Sequence, residues 1–190
     1  MQRLPSRLWL AALLACGSAM ARECPLPTPL PAQLPALSGT PLLLGGPQGI
    51  EIHLGDGVDQ LTHSNELLIV RYADGRNLAH RRLERSELGA EALDGQDLPG
   101  LVRTLFGAQA AENAQTRDWA ESMRHSMGLC NGSTWHGKPG GVEVYGLSLE
   151  QSGTAFQAVY LLDGTYVHVL SIRGSQDFTQ GLLASLKHRS

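Results

Sequence analysis

The side chains whose spacing first suggests chemistry are histidines and cysteines. His125, Cys130 and His136 fall within twelve residues, a span over which one sulfur and two ring nitrogens can hold zinc. Neither another cysteine nor a clustered carboxylate stands nearby to complete a four-ligand site. Cys130 has a better use as the disulfide partner of Cys24, because removal of a leader or acylation of Cys16 leaves that even pair. The expectation is a Cys24–Cys130 cross-link, with no metal and no cofactor.

The other histidines are scattered. His53, His63, His80, His136 and His168 lie in strand-like or loop segments, and any of them can pair with a serine such as Ser148 or Ser152. No Gly-x-Ser-x-Gly elbow positions such a serine, and a triad is defined by spatial geometry. The run Gly137-Lys138-Pro139-Gly140-Gly141 lacks both the phosphate-loop spacing and a following helix, so it reads as a turn. Glu84, Glu87 and Glu91 fit a solvated face better than an acid/base pair. In His80-Arg81-Arg82-Leu83-Glu84-Arg85, the acids Glu84 and Glu87 balance the bases, which argues against a phosphate surface. Trp135, His136 and Lys138 follow Cys130 in a glycine-flanked segment and are the residues expected to contact a partner.

Charge excludes one partner class. The chain carries −3, and losing residues 1–21 removes Arg3, Arg7 and no acid, which leaves −5. A nucleic-acid partner calls for a basic footprint instead. Residues 1–21 read as a secretory signal peptide: Arg3 and Arg7, the short apolar core 8–15, then Ala19-Met20-Ala21 as a small-x-small cleavage site. The core is too short to span a bilayer. Leu13-Leu14-Ala15-Cys16 also resembles the lipobox of bacterial lipoproteins, in which Cys16 becomes the acylated first residue. The periplasm is the expected location, with an outer-membrane lipoprotein as the alternative; only the lipidated form touches a membrane.

The elements that must position these residues follow from periodicity. Residues 22–41 form a strap holding six of the ten prolines, a composition that leans to polyproline II and cannot enter the interior of a helix or sheet. Residues 42–190 form a single α+β domain, a largely antiparallel sheet with helices packed on it. Strand patterns are expected at 42–44, 49–54, 65–72 and 77–84, the last with charges that suggest an edge or a solvated face. Leu98, Leu101, Val102, Leu105 and Phe106 repeat at helical spacing behind Asp97 and Pro99. A second helix is expected from Thr116, stopped by Gly128. Residues 133–136 form a short strand.

The clearest run is 142–186. Three strands form a meander, with Asp163-Gly164 as the strongest hairpin signal. Both faces of 166–173 are apolar, as in a central strand covered on both sides. Ser175 then caps a helix carrying Phe178, Leu182, Leu183 and Leu186, with Lys187 and His188 placed to meet its negative end.

In layout, the hairpin at 65–84 and the meander and helix at 142–186 resemble the PsbP-like α/β fold. They are also similar to small periplasmic immunity proteins of type VI secretion systems. No functional residue carries over. What the resemblance implies is a non-enzymatic protein that binds and blocks a secreted toxin, and mild acidity suits a basic target.

Overall fold

The computed structural model describes residues 24–31, 35–45, 49–93, 95–151 and 154–189; the segment 1–21 expected to be a leader, and Cys16 within it, lie outside them. The first six strands are β1 (Thr28–Pro29), β2 (Pro41–Leu44), β3 (Ile50–His53), β4 (Val58–His63), β5 (Leu68–Tyr72) and β6 (Asn77–Arg82). Helices α1 (Leu98–Leu105) and α2 (Ala114–Ser126) follow. The chain then forms β7 (Ser133–Gly137), β8 (Glu143–Gln151), β9 (Thr154–Asp163), β10 (Tyr166–Arg173), α3 (Gln176–Ala184) and β11 (Lys187–His188).

Among the described residues, eight strands pair in the order β1-β7-β8-β9-β10-β6-β5-β4, and β11-β3-β2 form a smaller sheet. All pairs are antiparallel except β1 with β7. The fold is the expected α+β, one large sheet with three α-helices packed on it.

Strand alternation gives the large sheet two apolar faces. Leu78, Val144, Val159, Leu161, Leu170 and Ile172 point to one face, where the small sheet and α3 add Ile50, Ile52, Phe178 and Leu182. Leu147, Tyr160, Leu162, Val167 and Val169 point to the other, against Leu101, Leu105 and Phe106. Leu170 is fully buried, which stabilises by roughly 1.5–3 kcal/mol relative to exposure. β10 lies between β9 and β6, covered on both faces as its composition predicts.

Capping follows the sequence. Asp97 accepts from Gly100 N at 2.6 Å, Asn113 from Thr116 N at 2.8 Å and Ser175 from Phe178 N at 3.1 Å. The second helix therefore starts at Ala114 rather than Thr116, because Asn113 supplies an earlier cap.

Other expectations need correction. β6 is not an edge, since it sits between β10 and β5; of its charges, Arg81 is half-buried and Arg82 exposed to solvent, as a solvated position allows. The edges are β1 and β4, and β4 had no signal because every residue in it is exposed. The turn after Asp163 is one residue later than expected, with Asp163 paired to Tyr166 across Gly164 and Thr165. Lys187 and His188 leave the helix and form β11 on β3, where Lys187 Nζ meets Glu51 Oε1 at 2.7 Å.

The strap behaves as proline chemistry requires. Pro29 lies on an edge strand and Pro41 opens another, the positions where a missing N–H costs least. Leu30 N donates to His136 O at 2.7 Å and Leu37 N to Gly181 O at 3.0 Å. Cys24 and Cys130 stand at disulfide distance, with Cα atoms 4.4 Å apart.

Candidate functional site

Strand alternation separates the three residues expected to meet a partner. Trp135 pairs with Gly146 and lies on the face that also carries α3, while His136 points to the opposite face. His136 stacks on Tyr145 at 6.4 Å. Tyr145 donates to Glu143 Oε1 at 2.7 Å, and Arg103 grips both oxygens of Glu143. Arg103 holds the Glu143 carboxyl below its ordinary range, with burial opposing, whereas burial pushes the Tyr145 hydroxyl up. Lys138 is exposed in the following turn. Trp135, His136 and Lys138 therefore do not form one surface.

The expected zinc spacing is also rearranged. Cys24, His125 and Cys130 bring their ligand atoms within 4.8 Å of one another, with Cys24 where His136 was expected. The two sulfurs are committed to each other, so only the His125 ring is left to offer.

The larger assembly is a groove of about 780 Å³ between the two sheets. β2 contributes Leu42, Leu43 and Leu44 as one wall; Leu61 and His63 of β4, Leu68 of β5, and His80 and Arg82 of β6 line the other side. Among the described residues, β2 and β4 are each the last strand of their sheet, so two backbone edges without a paired strand border this groove. Leu43, Leu61 and Leu67 all line it and are 43 %, 52 % and 37 % exposed, which gives the groove an open apolar surface.

A histidine pair lies under the groove. His80 Nε2 is 3.0 Å from His168 Nδ1, and His168 Nε2 faces Asp163 Oδ2 at 3.6 Å. His168 is fully buried, and its Nε2 has no hydrogen-bond partner among the described residues. Gly45, at φ +82°, closes over it: a Cβ there would come within 2.9 Å of Asp163 Oδ2 and 3.2 Å of His168 Nε2. The carboxylate favours the proton on His168 Nε2, so Nδ1 accepts from His80 Nε2–H. His80 then keeps Nδ1 as its acceptor.

Burial dominates the titration of both rings. It lowers the His80 pKa to about 4, with His168, Arg82 and His63 adding to the effect. It also lowers His168, against the pull of Asp163. At neutral pH both are uncharged, which leaves His80 Nδ1 as a hydrogen-bond acceptor.

A pH dependence follows. Because the folded pKa values lie below the ordinary value of about 6.5, the unfolded chain takes up protons first as pH falls. Stability is full above about pH 6.5 and declines toward about pH 4, the folded value for His80. Urea midpoints should fall between about pH 6.5 and about pH 5, while carboxylates are still ionised, and fall less in His80→Gln. Equal slopes would exclude the histidines as the cause.

A carboxylate does reach one of the expected histidines. Glu51 Oε1 lies 3.1 Å from His53 Nε2, but Lys187 and Arg189 also neutralise Glu51, and neither His53 nor Glu51 lines the groove. No serine hydroxyl hydrogen-bonds a histidine ring among the described residues.

No family model matches the chain, and no curated protein matches it. A crystal structure of a protein from Bacteroides thetaiotaomicron VPI-5482 is similar over 81 % of this chain and 50 % of its own, with 12 % identity and a TM-score of 0.43. The chain thus spans about half the length of that protein.

Proposed function

We propose that the chain is an exported, non-enzymatic binding protein that takes an extended segment of a protein partner into the groove between β2 and β4. The observation that carries this reading is the pair of unpaired strand edges bordering exposed leucines. An added strand gains main-chain hydrogen bonds from an edge and specificity from alternate side chains in flanking pockets. Leu43, Leu61 and Leu67 provide the apolar pockets, and the His80 acceptor and Arg82 donors provide polar selection. The most concrete version is an inhibitor that neutralises a secreted toxin by occupying its working surface. The mild acidity of the mature chain suits a basic target.

The test is affinity capture from envelope extract with protein purified without reductant, comparing wild type with a Leu43→Lys/Leu61→Lys double variant. Both positions are half-exposed, so the fold tolerates the charge. Wild type should retain one stoichiometric protein, and the double variant should lose it by roughly a hundredfold in affinity. Retention unchanged by the two lysines would rule out the groove. A captured partner that is harmless when produced alone would remove the toxin version and leave the binding role.

A further inference from the structure

The face that holds the groove has a second opening on its opposite flank. There β7, β8 and β9 form the floor, α3 the roof and the proline strap one wall, around a cavity of about 440 Å³. None of the described residues lining it is charged. Ser133, Trp135 and Ser148 come from adjacent strands, Gln157 from β9, and Gln176 and Gln180 from α3.

Two features mark this cavity. Gln157 is 5 % exposed and lines it, so the little surface this residue leaves open faces the cavity. An amide placed there offers both a donor and an acceptor to a ligand that enters. Trp135 lies over Gly146, where a Cβ would come within 2.0 Å of ring atoms Cε2 and Cζ2. That seat fixes the indole, and its half-exposed remainder lines the cavity.

We propose that this cavity is a binding site for a neutral saccharide. A fixed indole offers an apolar surface to the C–H face of a sugar ring. Primary amides, each both donor and acceptor, match pairs of neighbouring hydroxyls, and the serines add shorter contacts. Absence of charge in the lining disfavours anionic and cationic ligands, whose desolvation would go uncompensated. A peptide backbone is served better by a strand edge than by this roofed sheet face. The site is separate from the leucine groove and does not depend on it.

The test uses isotope-labelled protein and three neutral probes at roughly millimolar concentration, maltotetraose, cellotetraose and tetra-N-acetylchitotetraose, with decaproline as the competing peptide. At least one tetrasaccharide should shift the Trp135 indole N–H and the Gln157 side-chain amide. Gln157→Ala, which leaves the Trp135 seat intact, should weaken that binding tenfold or more, and Leu43→Lys/Leu61→Lys should leave it unchanged. No shift with any tetrasaccharide, shifts indifferent to Gln157→Ala, or shifts with decaproline alone would each overturn the proposal.

Discussion

Replacing Cys24 and Cys130 together with serine should lower stability by about 4 kcal/mol and the thermal midpoint by roughly 8–16 °C. The cross-link joins residues 106 apart in sequence, and closing so long a loop removes much of the unfolded chain's freedom. It also fixes the start of the strap, four residues before β1. Beyond it the strap is held by Thr28 Oγ1 donating to Thr134 O, by the amide of Leu30 and by that of Leu37. The pairing of β1 with β7, the bond from Leu54 N to Thr40 O and the packing of Leu30 and Leu37 on the core hold it further along, whereas the cross-link anchors its outer end. Urea unfolding of wild type and double variant measures the difference. A loss under about 1 kcal/mol would mean that β1 and the leucines already hold the strap without it.

The second large effect concerns the mounting of the small sheet. Gly140 has φ +56°, and a Cβ there would sit 1.7 Å from the Leu186 carbonyl oxygen and 2.6 Å from its carbon. Backbone cannot swing aside as a side chain can. Relief would pull Leu186 out of the core and β11 away from β3. Gly140→Ala should therefore cost about 3 kcal/mol or more, the sum of left-handed strain and overpacking. Gly141 is the matched control: it has φ +83° and open space around its Cβ position, so Gly141→Ala should cost only about 1–2 kcal/mol. Equal losses would show that the close approach to Leu186 is not a constraint. β11 holds β3 and β3 holds β2, so Gly140→Ala should also loosen the groove wall that carries Leu43.

Legibility in the sequence followed burial. Segments 143–149, 155–163 and 166–173 carry apolar side chains on both faces because both faces of the sheet are covered there. The Cys24–Cys130 pairing could be read from an even cysteine count, and α1 from a stripe with its cap. β4 could not be read, since Val58, Leu61 and their neighbours are all exposed and carry no periodic signal. The groove shares that cause, because a site made where burial stops has no pattern to announce it. His80 and His168 are 88 residues apart, and only the pairing of β6 with β10 makes them neighbours. Trp135 and His136 are neighbours in sequence, but adjacency in a strand places their side chains on opposite faces, which sequence order alone does not show.

The most direct measurement is site-specific photo-crosslinking in the envelope. A benzophenone side chain is placed in turn at Leu43, Leu61 and, as control, at the exposed Arg117 on α2. The groove reading predicts one discrete adduct with the same protein at Leu43 and Leu61 and none at Arg117. Irradiation that yields no adduct at either leucine, or the same adducts at all three positions, would contradict it.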